Sequence, residues 1–238
     1  MSRRRWMADE VSGTRALLVG AHAGHLSRVL RARIGQEFDI TTGNQVRRGR
    51  ITAISQDRVE FELGAEVSTP LPVPVTLALS IFKFDRMEWA IEKCTELGVT
   101  RIVPVIARRT ETHLAAAAAK RVERWRRIAL QATEQSRRTS PPEISQPLKL
   151  RDAAALPGSL RILLSEGEPD AMLKDVVQSG SGDGVVILAL GPEGGWTDAE
   201  LKLFQESGWI SASLGNTILR AETAAIASLA VALSELQA

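Results

Sequence analysis

The rhythm of hydrophobic positions changes near residue 72. Before it, residues 15–19, 37–41, 49–54 and 58–63 are brief, β-branched or alternating, and separated by Gly, Asn and Asp. That pattern predicts short strands joined by turns. Leu26, Val29 and Leu30 share one helical face, so a short helix is expected from about His25. A small β-barrel is the economical architecture for this stretch. Residues 69–74 then place three prolines in six positions and read as a stiff linker.

After the linker the pattern becomes that of alternating strands and helices. Residues 75–82 form an almost continuous apolar run, suited to a strand buried on both faces. Met87, Ala90, Ile91, Cys94 and Leu97 follow at helical spacing, with Gly98 placed to stop the helix. Residues 101–107 predict a second strand, in which Pro104 favours an edge or a bulge. A long helix is expected over about 115–138. Its apolar stripe is Val122, Trp125, Ile128, Ala129 and Ala132, and its other face carries Arg124, Arg127, Gln131, Gln135 and Arg138. Further strands are expected at 161–165, 185–190 and 209–214, with helices at about 170–178, 198–207 and 221–236. Strands alternating with helices predict an open, mostly parallel α/β sheet. The chain reads as two domains, β then α/β, with no internal repeat.

Composition narrows the possibilities without changing this picture. With 238 residues, 44% hydrophobic and 24% charged, the chain is neither disordered nor fibrous and can bury a sizeable core. One cysteine, Cys94, excludes an internal disulfide and a thiolate metal cluster and suggests a reducing compartment. His22, His25 and His113 are too few and scattered for a histidine-rich metal site, so no metal is expected. The basic amino terminus lacks a following apolar segment, and no run of about 18 apolar residues occurs, so neither export nor a membrane span is expected. A soluble, cytoplasmic protein is the expectation. The net charge of +2 hides an asymmetry: residues 1–140 hold 24 Lys and Arg against 15 Asp and Glu (+9), and residues 141–238 hold 6 against 13 (−7). A basic front half suits a polyanion partner. The blander alternative is a solvated basic helix face.

In open α/β sheets, ligands bind beyond the carboxyl ends of the strands. Three such loops stand out: residues 165–169, residues 191–200 and residues 215–224. In the second, Gly191, Gly194 and Gly195 let backbone approach a ligand closely, Pro192 stiffens the turn, and Thr197 with Glu200 makes a helix capping box. The third brings Arg220, Glu222 and Thr223 to a loop–helix junction. Taken singly, the second loop could be an ordinary strand-to-helix turn and the trio a surface pair near a helix start. The phosphate-loop pattern, the dinucleotide fingerprint and the G-x-S-x-G nucleophile elbow are all absent. Cys94 lies on an apolar helix face and reads as core.

These residues resemble the bacterial family of 16S ribosomal RNA uracil-N3 methyltransferases, within the knotted SPOUT superfamily. Residues 25–31, 83–88, 93–99, 124–125 and 132–137 with Pro142 match its successive blocks. Residues 190–195, then Leu214 and Gly215 with residues 218–224, match its two signature loops. The likeness covers about residues 3–235. It implies a PUA-like β-barrel over 1–71 for RNA binding and a SPOUT methyltransferase domain over 72–238 whose C-terminal part forms a trefoil knot. It further implies a homodimer, S-adenosyl-L-methionine as cofactor, and N3-methyluridine in the small ribosomal subunit as product. By position, the cofactor site would comprise Leu164, Ser165, Glu166, Leu190, Gly191, Pro192, Glu193, Gly194, Gly195, Ile210, Leu214, Gly215, Asn216, Thr217, Ile218 and Leu219. Thr217 departs from the family, where many members carry a basic residue.

Uracil N3 must lose a proton as the methyl arrives, which calls for a base or an anion-stabilising cation. Arg220 is the expected cation, and Glu193 or Glu222 the expected proton acceptor or relay. RNA docking is expected of Arg3, Arg4, Arg5, Arg28, Arg31, Arg47, Arg48, Arg50, Arg124, Arg127, Arg137 and Arg138. Two rivals stay open: a non-enzymatic RNA-binding assembly factor, and a knotted methyltransferase acting on another RNA.

Overall fold

The structure, a computed structural model, describes residues 5–43, 45–68, 72–136, 138–167, 171–180 and 184–236. The chain divides into two units, Met1–Leu71 with Thr133–Ser140, and Pro72–Ala132 with Pro141–Ala238.

In the first unit, among the described residues, six strands form one barrel-like curled sheet: β1 (Arg5–Met7), β2 (Glu10–Ser12), β3 (Arg15–Val19), β4 (Glu37–Thr42), β5 (Gln45–Ile54) and β6 (Arg58–Glu66). Their order is β1-β4-β5-β6-β3-β2, antiparallel except for the β1–β4 pair. β5 carries two register shifts against β6, and such bulges bend a strand. Alternation works as the sequence predicts in β6, where Val59, Phe61 and Leu63 turn inward between outward charges. Gly49 is needed at the crossing, because a Cβ there would collide with Ile40. The expected helix is instead two short pieces, α1 (Gly20–Gly24) and a π-helical turn over His25–Val29, which seat Ala23 and Leu26 in the core.

The second unit contains β7 (Val75–Ser80), α2 (Phe84–Leu97), β8 (Arg101–Ile106), α3 (Thr112–Ser136), β9 (Glu143–Ile144), β10 (Leu148–Lys149), α4 (Leu150–Ala154), β11 (Leu160–Leu164), α5 (Leu173–Gly180), β12 (Val186–Leu190), α6 (Asp198–Glu206), β13 (Ile210–Ala212) and α7 (Ala221–Leu236). The end of α3 groups with the first unit. The sheet is parallel throughout, in the order β10-β8-β7-β12-β11-β13, with β9 also on β8.

Every residue of β7 and β12 is buried, as continuous apolar runs require when both faces are covered. One face carries Leu77, Leu79, Met87, Ile91, Trp125 and Leu229. On the other, small Ala78 and Ala189 make room for Trp196, Phe204 and Trp209. Each large side chain buried this way stabilises the fold by about 1.5–3 kcal/mol. Cys94 is fully buried in the first of these faces, and burial pushes its thiol pKa up, so it serves as core.

Gly98, at φ +122°, ends α2 where the pattern predicted, donating its N–H to the carbonyls of Cys94 and Thr95. Pro104 departs from expectation. β8 is an inner strand, but its neighbour on one side is broken into β9, paired at residues 101–102, and β10, paired at 105–106. Pro104 therefore lies at the gap, where a missing N–H costs no ladder bond. The strand expected at 209–214 also shortens, because Trp209 turns its ring into the core and donates its indole N–H to the Ala154 carbonyl at 2.8 Å.

Candidate functional site

β12, β11 and β13 are adjacent in the sheet and parallel, so the loops leaving their carboxyl ends converge. Between them lies a cavity of about 520 Å³. It is lined by Leu164, Ser165, Glu166, Leu190, Gly191, Pro192, Glu193, Gly195, Leu214, Gly215, Thr217, Ile218, Leu219 and Arg220, all residues singled out from sequence.

Four of the expected residues are not on its lining. Ile210 sits at the amino end of β13 and is 47% exposed, whereas the cavity lies at the Ala212 end of that strand. Gly194 turns outward, where its carbonyl accepts a hydrogen bond from the Arg109 guanidinium and a Cβ would meet the Arg109 Cδ at 3.2 Å. Asn216 is exposed beside the lining rather than on it. Glu222 is buried within the first turn of α7. Its separation from Arg220, two residues, does not bring side chains together on a helix.

The loop after β12 is built tightly. Gly195 adopts φ +68° and donates its N–H to the Pro192 carbonyl at 2.8 Å, a conformation that an L side chain would strain. A Cβ on Gly191 would stand 3.3 Å from the Trp196 ring. Trp196 in turn donates its indole N–H to the Leu164 carbonyl at 3.1 Å, tying the second loop to the end of β11. The capping box forms as expected: Thr197 caps α6, and Glu200 Oε2 accepts from the Thr197 N–H at 2.8 Å. Glu200 also accepts the Arg108 N–H at 2.7 Å through Oε1, which satisfies this buried carboxylate. Ser213, between Ala171 and Gly215, secures the third loop through its backbone and its hydroxyl.

Sequence reasoning missed several lining residues, among them Gly167, Trp196, Leu201, Ser213, Ala224 and Arg86. Arg86 comes from the first turn of α2 and pairs with Glu193 at 3.0 Å. Its Nε lies 3.8 Å from Glu222, whose side chain is 5% exposed. The sequence marked the block around Arg86 without any sign of a contact so distant along the chain. Among the described residues, no group of three or more His, Cys, Asp or Glu could hold a metal ion, and no helix is long and apolar enough to cross a membrane.

The arginines expected to dock RNA fall into distinct settings. Arg3, Arg4 and Arg137 lie outside the described residues. Arg48 faces Asp39, and Arg50 faces Glu37, as register partners across β4 and β5, and each pair closes an ion pair (3.3 and 3.1 Å). Arg47 donates to the carbonyls of Gly64 and Leu63. Arg124 grips Glu88 with two bonds of 2.6 and 2.8 Å, which raises its guanidinium pKa further. Burial lowers that of Arg138, and Arg5 is half-buried with an interaction of its own. Arg28, Arg31 and Arg127 are exposed and form no ion pair among the described residues. Arg31 holds φ +51°, the one non-glycine residue with positive φ among those described.

The model of a family described as an RNA methyltransferase domain matches residues 69–233. The chain is 33% identical over 226 residues to the ribosomal RNA small subunit methyltransferase E of Synechocystis sp., covering 93% of this chain and 74% of that protein. It is 30% identical over 227 residues to the protein of the same name from Aquifex aeolicus, covering 94% and 96%. In three dimensions it is similar to a ribosomal RNA small subunit methyltransferase E from Neisseria gonorrhoeae bound to S-adenosyl methionine. That likeness has a TM-score of 0.79, 31% identity and coverage of 98% and 97%.

Proposed function

Since this chain belongs to the RNA methyltransferase family, alongside the ribosomal RNA small subunit methyltransferases E, we propose that it uses S-adenosyl-L-methionine to methylate N3 of one uridine in 16S ribosomal RNA. The observation that carries this reading is the cavity at the three convergent loops. Its volume is that of a small-molecule site. Its residues fit the cofactor: bare backbone at Gly191 and Gly195, apolar walls from Leu164, Leu190, Leu214 and Leu219, and carboxylates at Glu166 and Glu193. Extending the same reading, the first unit is a PUA-like RNA-binding barrel, the C-terminal part of the α/β domain forms a trefoil knot, and two copies form the working dimer in the cytoplasm.

Bound S-adenosyl-L-methionine supplies a methyl group activated on a sulfonium. The chain supplies alignment, since an in-line displacement depends on close orientation of the reacting atoms. Gly191 and Gly195 admit the cofactor against the backbone, and the leucine walls exclude water. Arg220, exposed at the end of the third loop, orients the uracil and offsets the negative charge that grows as N3 loses its proton. Of the two candidate carboxylates, Glu193 lines the cavity and is assigned the N3 proton, whereas Glu222 stands behind the lining. With the cofactor bound in this cavity, Glu193 would accept the N3 proton that the methyl group replaces and would pass it to solvent.

The test incubates the protein with labelled S-adenosyl-L-methionine and unmodified small ribosomal subunits, then identifies the labelled nucleoside. N3-methyluridine at a single site is the expected result. Label in another nucleoside would refute the uracil assignment, and absence of both label and cofactor binding would favour a non-enzymatic assembly factor.

A further inference from the structure

We propose that Arg86 is a positioning residue of the cavity, holding Glu193 at the mouth and the buried Glu222 behind the wall with one guanidinium. This rests on the methyltransferase reading above. Three segments far apart in sequence meet here: the first turn of α2, the glycine loop after β12, and the first turn of α7. Arg86 lies 3.0 Å from Glu193 Oε1 and 3.8 Å from Glu222 Oε1, and it lines the cavity itself.

Local preference does not account for an arginine at this point. The first turn of a helix is the unfavourable end for a cation, because the helix dipole and the free N–H groups there are positive. Two carboxylates from other elements reverse that disadvantage. Glu222 needs the arrangement more. It is 4% exposed, its Oε2 has no hydrogen-bond partner, and Arg86 is its one charged partner among the described residues. A buried carboxylate without a counter-charge is costly, so the same cation that steadies Glu222 also fixes how the start of α7 faces the glycine loop. The planar fork of arginine can address two carboxylates at once, which a lysine ammonium does less well.

The experiment is a double-mutant cycle over Arg86→Gln and Glu222→Gln, with Arg86→Lys alongside. Calorimetric titration with S-adenosyl-L-methionine and thermal unfolding are the two readouts. The Arg86 side chain is 32% exposed, which moderates the effect. Arg86→Gln is expected to weaken cofactor binding about tenfold. Removing the charge it compensates, in the double variant, should restore affinity to within about threefold of the parent. Arg86→Lys should fall between the parent and Arg86→Gln. Additive losses in the double variant, or parental affinity in Arg86→Gln, would overturn the proposal. Should Arg86→Gln fail to fold, recovery of folding in the double variant supports the pairing and continued failure overturns it. If the parent protein itself binds no S-adenosyl-L-methionine, the methyltransferase reading falls, and unfolding midpoints alone decide: rescue in the double variant supports Arg86 as the holder of Glu222, and additivity refutes it.

Discussion

Arg220 stands at the end of the loop after β13, exposed, with no carboxylate paired to it among the described residues. An arginine left unpaired on a cavity lining can meet charge that develops on a substrate. Arg220→Ala is therefore expected to lower kcat about a hundredfold while leaving S-adenosyl-L-methionine affinity within about threefold of the parent. Single-turnover methylation and calorimetry on the same preparation check this, and a loss confined to cofactor affinity would assign Arg220 to the cofactor instead. Residue type and loop position made Arg220 visible in the sequence, and the resemblance to the family marked Glu193. The burial of Glu222 was not visible, because its two-residue spacing from Arg220 says nothing of which way the first turn of α7 faces.

At the scale of elements, α6 holds the glycine loop from behind. The Thr197–Glu200 box begins the helix, and Glu200 reaches across to the Arg108 N–H, so one carboxylate joins the loop after β12 to the loop after β8. Arg109 adds a bond to the Trp196 carbonyl at 3.1 Å. Thr197→Ala should cost about 1 kcal/mol of stability through the lost cap. Glu200→Ala should cost more, since it also leaves the Arg108 N–H without its acceptor. Urea unfolding of the two variants gives the comparison, and equal losses would show that the link to Arg108 contributes nothing. The box and the stop at Gly98 were legible because capping is local chemistry. The break between β9 and β10 beside Pro104 was not, because it depends on which strands lie next to β8.

For the whole molecule, the charge surplus of the first 140 residues is partly internal. Arg47, Arg48, Arg50 and Arg124 are engaged with carbonyls and carboxylates of the fold. Among the described residues of the expected set, Arg28, Arg31 and Arg127 are exposed and form no ion pair. Affinity for the ribosomal RNA should fall steeply with salt. Arg28→Ala and Arg127→Ala should each reduce the slope of log affinity against log salt by about one. Arg48→Ala should leave that slope unchanged and lower stability instead. Filter-binding titrations across a range of salt concentrations separate the two groups, and an undiminished slope in Arg28→Ala would remove it from the RNA surface.

By itself the sequence determined what local physics can encode. Its periodicity marked the strands and helices, the ends of those strands marked three loops, glycines and a capping box singled out the second, and its apolar helix face placed Cys94 in the core. Tertiary structure alone decided which of those elements became neighbours. The order β12-β11-β13 brings three separate loops to one cavity and excludes Ile210 at the far end of its strand, while the pairing of β7 with β12 carries Arg86 to Glu193 across 107 residues of chain. In the first sheet, the β4–β5 register closes Arg48 and Arg50 with cross-strand acids, whereas Arg28 and Arg31 are left to solvent. Periodicity records which side of an element is buried. Which partner buries it depends on chain crossovers, and no stretch of sequence short enough to show a pattern contains them.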